Sequence, residues 1–487
     1  MKTLLQTSSA ALLLLVLAAL NTPCPLYSAD QPQPPSAPSP SDKPNIIFIL
    51  ADDLGIGNVG CYGSDNFKTP NIDGLAASGM RFERCYAAPL CGPSRACLMT
   101  GRYAYRTGMT GNDSGPLLKP EVETMIPKVL KAAGYVTGMC GKWDQLPLQP
   151  SDWGFDEYLR FKGSGQYWNY QPKAKEYTVN GKSVPLLDKE YLPDKMHEFV
   201  VNFLNNHKDE HFYLYYSMSH VHEDILPTPD SAPDSKNLYN DNVLYMDKLV
   251  GKLVAEVDRL GLRNKTIIAF AGDNGTTHTY TPVSTVHGRP LSGYKATMLE
   301  CGALVPCIAS WPGKIQPASV TKGLINITDF FPTLAEIGGA PLPQGLVLDG
   351  QAFAKPLLGQ ETSWPRNWIF VELGRHWYDR DADWKMDEKS QLFDMRDAPF
   401  AEPIVPPEST DPTAITERKH LQEVLTQLNP AGGIVDPGDG SGSHAKTPEK
   451  LEKKKLKKAQ RDAVRTGGAA AVDGKAMDSQ NANAPEE

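Results

Sequence analysis

Short apolar runs that close on acidic or small polar residues punctuate the first two thirds of the chain. Asn45 to Leu50 (NIIFIL) is almost continuously apolar and ends in Ala51-Asp52-Asp53. A run of that length without polar alternation suits a parallel strand covered on both faces. Val136 to Cys140, His211 to Ser217 and Thr266 to Ala271 read as further strands. Between them the pattern turns helical, over Asn71 to Gly79, from Pro127 to Ala133, and over Val243 to Leu260 with a clear amphipathic repeat. Strands alternating with helices predict an α/β fold with a mostly parallel central sheet flanked by helices.

Beyond Gly350 the texture changes. Trp368 to Leu373 and Gln391 to Met395 read as strands with no long helix between them, and Ala414 to Leu428 follows as one helix. This predicts a smaller C-terminal subdomain, an antiparallel sheet plus a helix, over 351–430, packed on an α/β domain over 44–350. The ends read differently. Lys2, the apolar run Ala10 to Leu20 and the Ser28-Ala29 step fit an export signal over 1–29, followed by a Pro/Ser-rich linker over 30–43. The run is too short to span a bilayer and no later segment is long enough, so the expectation is a periplasmic or secreted protein with no transmembrane segment. Residues 431–487 carry Gly/Ser-rich sequence and then a Lys-rich stretch, Lys446 to Arg465, read as a disordered, solvated tail with polyanion binding as the lesser alternative.

Charge and cysteines narrow the function. A net charge of −8 over 487 residues argues against a nucleic-acid partner. Eight cysteines show no metal-site spacing. Setting aside Cys24 in the signal and Cys91, six remain, either paired in an oxidising compartment or buried as free thiols.

Two acidic clusters fall where strands should end. Asp52-Asp53 follow NIIFIL, and Asp273-Asn274 follow Thr266 to Gly272. Ligands of open α/β sheets collect beyond the carboxyl ends of strands, so the four side chains can converge there. Oxygen donors with several carboxylates favour a hard cation, one Ca²⁺ ion.

The run Cys91-Gly92-Pro93-Ser94-Arg95, continued by Ala96-Cys97-Leu98-Met99-Thr100-Gly101-Arg102, resembles the sulfatase signature C-x-P-S-R-x-x-x-L-T-G-R, with Met99 at the usual Leu. Further segments resemble the same family: Gly134-Tyr135 with Gly141-Lys142-Trp143, Ser219-His220-Val221-His222, Gly293-Tyr294-Lys295 through Lys314, Asp329 to Leu334 and Leu392 to Met395. The resemblance spans about Lys43 to Glu402. It implies a sulfuric ester hydrolase acting on aryl or carbohydrate sulfates, in which Cys91 is oxidised to formylglycine by a separate maturation enzyme. It also implies a metal site of Asp52, Asp53, Asp273 and Asn274 together with residue 91. Arg95, Lys142, Lys295 and a histidine would then surround the sulfate. His220 better matches the family's H-x-P position, with His222 as the competing choice. In that family a hydrated aldehyde attacks sulfur through one hydroxyl, and the second hydroxyl expels sulfate afterwards.

Two departures stand out. The family's G-K-W-H reads Gly141-Lys142-Trp143-Asp144 here, so the usual histidine base is absent and Asp144 is the candidate replacement. Glu300-Cys301-Gly302-Ala303-Leu304 replaces the more common E-G-G-x-R. The rival readings are a phosphate or phosphonate ester hydrolase of the same superfamily and a non-catalytic sulfoglycan-binding protein. His278 and His287 lie after the second acidic cluster but lack the D-x-H spacing of a two-zinc site. Trp168 and Tyr170 are read as packing residues, with stacking on a sugar as the alternative.

Overall fold

Every residue of the first strand is withdrawn from solvent, and that strand is the axis of the fold. In the computed structural model, which describes residues 43–433, the main sheet contains β1 (Asn45–Ala51), β2 (Met80–Tyr86), β3 (Val136–Lys142), β4 (Glu157–Phe161), β5 (Glu176–Val179), β6 (Lys182–Pro185), β7 (Phe212–Ser217), β8 (Thr266–Gly272), β9 (Leu304–Val305), β10 (Cys307–Ser310) and β11 (Ser319–Asn326). The order is β11-β2-β10-β8-β1-β7-β3-β4-β5-β6, with β9 paired to β2. The centre, β8-β1-β7-β3-β4, is parallel throughout. Antiparallel pairings lie outside it, where β10 runs against both β8 and β2 and where β5 joins β4 and β6.

Alternation along β1 feeds two cores. Ile47 and Ile49 enter one, covered by Val243, Met246, Leu249, Val250 and Leu253 of the Leu238–Arg259 helix. Ile46, Phe48 and Leu50 enter the other, beneath the Cys91–Thr100, Ile126–Ala132 and Phe330–Ile337 helices. Phe330 sets its ring edge-on to Phe48 at 4.9 Å between centroids. Each such large apolar side chain, fully buried, contributes about 1.5–3 kcal/mol. The Leu238–Arg259 helix starts five residues before the periodic pattern does. Asn237 caps it by accepting from Asn240 N, and Asn240, Asp241 and Asn242 interrupt the apolar repeat in its first residues.

A second, wholly antiparallel sheet follows: β12 (Ile369–Leu373), β13 (His376–Arg380), β14 (Trp384–Asp387), β15 (Leu392–Asp394) and β16 (Ile404–Val405). The Pro412–Leu428 helix packs on it through Leu421 and Leu425, against Phe370, Trp384 and Met386. The seven described cysteines are all free, so the thiol alternative is the one observed. Among the described residues no helix is long and apolar enough to cross a membrane. The export signal, nearly all of the Pro/Ser-rich linker and the Lys-rich tail lie outside the described residues.

One buried group in the second sheet ties stability to pH. Asp379 of β13, opposite Phe370 and Met386, is inaccessible, and neither carboxylate oxygen has a hydrogen-bond partner. Burial, reinforced by the Asp381 charge, pushes its carboxyl up to about 9 from an ordinary 3.8. Ionisation therefore favours the unfolded chain. The penalty is absent below the ordinary value and grows as pH rises toward 9. Asp379→Asn is expected to flatten the decline in thermal midpoint between about pH 5 and 8. Melting curves across that range that match the parent's would show that the carboxyl ionises without cost.

Candidate active site

The parallel register of β1 and β8 builds the site. Ala51 lies opposite Gly272, so the residues after them leave the sheet side by side. Asp273 N donates to Ala51 O and Asp53 N donates to Asp273 Oδ1, both at 3.0 Å. A side chain at Gly272 would come within 2.3 Å of Leu54 O, so only glycine lets the two turns approach this closely. Asn274 Nδ2 donates to Asp53 Oδ1 at 2.9 Å, leaving Asn274 Oδ1 buried and without a partner. Asp52, Asp53, Asp273 and Asn274 are all buried.

Cys91 opens a ten-residue helix, Cys91–Thr100, that is buried along its whole length. Its Sγ lies 3.4 Å from Asp52 Oδ1 and 3.5 Å from Asp53 Oδ1. The next peptide N–H, Gly92 N, donates to Asn112 Oδ1 at 2.7 Å. One turn along, Arg95 donates to Asp273 Oδ2 at 2.6 Å and to Ser217 Oγ, and stands 3.6 Å from Asp52. Lys142 ends β3 and places Nζ 2.7 and 2.8 Å from the two Asp52 oxygens. The preceding Gly141 has φ +116° and a Cβ there would sit 1.8 Å from Ser217 O, so the lysine enters through a position only glycine can hold. Lys295 Nζ lies 2.7 Å from Asp53.

Burial and the Asp52 charge raise the Asp273 carboxyl. Asp52 shifts the other way, because the Lys142, Arg95 and Lys295 charges outweigh the opposing effect of burial. Burial pushes the Cys91 thiol well up, and the Asp273 charge adds to it, so an unmodified Cys91 is a protonated thiol.

The histidine expectation needs correcting. His220 is fully buried, its Nε2 hydrogen-bonds Tyr191 at 2.9 Å, and its ring lies among Tyr167, Tyr191 and Tyr245. Burial pushes it down to about 3, so it is neutral. His222 is the histidine at the cluster, with Nε2 3.9 Å from Asp53 Oδ2 and about a fifth of its side chain exposed. The backbone makes the choice: Asp52 N donates to His220 O and Val221 N donates to Asp52 O. Asp144 is a second correction. Its carboxylate accepts from Gly163 N at 2.8 Å, stands 3.7 Å from Arg160 and makes no contact with the cluster, because the chain turns away directly after Lys142. Ser217, Thr277 (3.3 Å from Asp53 Oδ2) and Asn112 join the site without a sequence signal beyond their neighbours. Trp168 and Tyr170 stack on each other at 6.4 Å, and Trp168 is pinned to Pro227 O at 2.8 Å.

The donor set fits a hard divalent cation. Three buried carboxylates converge with an amide oxygen that has no other partner. Asp52, Asp53, Cys91 and His222 offer ligand atoms within 4.8 Å of one another, the only such group among the described residues. Asp273 and Asn274 extend that group through their bonds to Asp53. His278 packs on Tyr294 and His287 lies against Gly63, so neither builds a second metal position. Ca²⁺ added to chelator-treated protein is expected to raise the thermal midpoint, by an amount equivalent to about 2.7 kcal/mol at a hundredfold excess over Kd. Asp53→Asn should remove most of that shift, and an equal shift in both proteins would place the cation elsewhere.

Known proteins resemble the chain in sequence and in fold. The Sulfatase family model matches residues 44–340. Arylsulfatase A of Homo sapiens is 34% identical over 361 residues, covering 67% of this chain and 70% of that protein. Steryl-sulfatase of Rattus norvegicus is 30% identical over 440 residues, covering 72% and 74%. The crystal structure of Ps i-CgsB superposes with a TM-score of 0.72 at 27% identity, over 87% of this chain and 99% of that one. Its complex with k-i-k-neocarrahexaose gives 0.70 at 27% identity, over 85% and 99%. The chain belongs to the sulfatase family. It is an enzyme of the class that hydrolyses sulfate esters.

Proposed function

We propose that this sulfatase cleaves sulfate esters of carbohydrates, and small aryl sulfates with them, through Cys91 converted to formylglycine and one Ca²⁺ ion. The observation that carries the reading is the position of Cys91 Sγ, at a helix start and within 3.5 Å of two buried carboxylates. The similarity to Ps i-CgsB, crystallised with k-i-k-neocarrahexaose, supports a glycan substrate. Conversion of Cys91 would fall to a separate maturation enzyme, as the resemblance to the family implies.

When present, the ion and the aldehyde supply a hydroxyl nucleophile of lowered pKa on a carbon that can later release sulfate. The residues of the chain bind, orient and move protons around it. The N-terminus of the Cys91–Thr100 helix presents its positive end to the anion. Arg95 holds Asp273 and Asp52 in place from beneath. Lys142, fully buried, stabilises the charge that grows on the sulfate oxygens. Lys295 and His222 retain some exposure and stand on the open side, where the leaving alcohol departs. Lys295 is held protonated: burial opposes this, but the Asp53 and Asp52 charges prevail, which suits it to bind anionic oxygen. His222 is kept neutral by burial and takes the proton-transfer role in place of Asp144.

Cys91→Ala is expected to abolish turnover of 4-nitrocatechol sulfate. The Cys91 peptide from the native host should show the mass of the aldehyde and label with an aldehyde probe. Unmodified cysteine in active protein would overturn the formylglycine reading. His222→Asn should lower kcat by about 10²–10⁴-fold, whereas Asp144→Asn should leave kcat and its pH profile in place. The reverse pattern would return the base to Asp144. Faster cleavage of a phenyl phosphonate than of the matching sulfate would favour the phosphonate ester alternative.

A further inference from the structure

A second opening, lined by none of the cluster residues, lies where the main sheet meets the antiparallel sheet. Its volume is about 600 Å³, and its walls come from the 60–63 turn, β2, Lys322 of β11, Arg380 of β13 and the 395–400 loop. That is the size of a site for a small molecule or a few sugar units, and too large for a lone inorganic ion.

The charge of its lining is unevenly spent. Arg380 is neutralised by Glu300 at 2.5 Å, a pair almost wholly buried, and so forms a fixed floor. Arg396 is held by both oxygens of Asp394, and Arg81 stands 3.4 Å from Glu83. Arg84 and Lys322 also line the opening, and among the described residues neither has a carboxylate within ion-pair distance. They sit on adjacent strands: Arg84 pairs with Leu324, and Lys322 falls in the irregular stretch between Thr321 and Leu324. Two unspent cations side by side recognise sulfate or carboxylate groups, and the Glu83 and Asp383 carboxylates beside them accept from hydroxyls. Anion contacts interleaved with hydroxyl acceptors fit a sulfated oligosaccharide.

The opening is also tied to the reacting centre. Ser292 N donates to Pro399 O of its wall at 2.8 Å, and the segment from Ser292 leads directly to Lys295. A polymer held here is tethered to the protein, which raises the effective concentration of its other units around the catalytic cluster. We propose that this opening is an accessory site for a sulfated segment of the polysaccharide substrate, with Arg84 and Lys322 as its anion contacts. The proposal rests on the reading of the protein as a glycan sulfatase.

The test separates binding from turnover. Dextran sulfate is titrated calorimetrically into the full chain carrying Cys91→Ala, with unsulfated dextran as the control. Adding Arg84→Ser and Lys322→Ser together is expected to weaken Kd by about tenfold, and Lys322→Glu alone should act in the same direction. With Cys91 intact, the Arg84→Ser/Lys322→Ser protein should keep the parent kcat/KM on 4-nitrocatechol sulfate, which also shows that it folds. A Kd within twofold of the parent would overturn the proposal, since binding would then belong to the Lys-rich tail or to the catalytic cluster. Equal binding of unsulfated dextran would overturn it as well. Absence of any sulfate ester turnover by the parent would defeat the functional reading instead, and the calorimetry would still decide whether the opening binds anionic polymer.

Discussion

The in-register pairing of β1 with β8 places three carboxylates in one inaccessible pocket, and the rest of the molecule is arranged around that cost. Asp52, Asp53 and Asp273 cannot be carried there unpaired, because an isolated buried charge costs several kcal/mol. Three cations answer them, each from a different element: Arg95 from the Cys91–Thr100 helix, Lys142 from the end of β3, and Lys295 from the loop after β8. The match is one for one, so a bound divalent cation leaves the pocket with a surplus of positive charge. An anionic sulfate ester is the partner that such a surplus selects. Under the proposed function, Lys142 and Lys295, which make the fold tolerable without substrate, become its binding groups.

The antiparallel sheet braces this pocket from outside. Glu300, just after the Lys295 loop, takes Arg380 from β13 and the hydroxyl of Tyr86 from β2. Glu402 accepts from Glu300 N, Ser292 Oγ and Lys385 of β14. The departure at Glu300 to Leu304 noted in the sequence therefore falls at a joint between the two sheets. Loosening that joint would act on Lys295 through the backbone from Ser292 onward.

Much of the architecture was legible because burial leaves a mark on sequence. Four of the five parallel strands at the centre show as short apolar runs, β4 with its Glu157 and Arg160 being the exception, and the acidic residues after β1 and β8 point to the carboxylates of the pocket. The antiparallel flanks were not read. Met80 to Tyr86 mixes charged and apolar residues, which hides a strand that is half-covered. The amphipathic Leu192–Asn206 helix lies outside the predicted elements, and its buried face packs without contributing to the site. The two site corrections share one cause. His220 and His222 are two residues apart, and Lys142 and Asp144 likewise. Motif position alone does not say which member of each pair turns inward. For the histidines the backbone bonds between Asp52 and the His220–Val221 segment decide it, and that long-range pairing has no signature in local sequence.

The burial of the Cys91–Thr100 helix has a consequence in time. All ten residues are covered, and Cys91 itself exposes nothing. No second protein can grip a segment that the folded chain has enclosed beneath its own sheet. On the proposed formylglycine chemistry, a maturation catalyst would have to meet this stretch as extended polypeptide, before β1, β3 and β8 close around it. Folding would then act as a deadline, and a chain that collapses early would be stable, well formed and permanently inert.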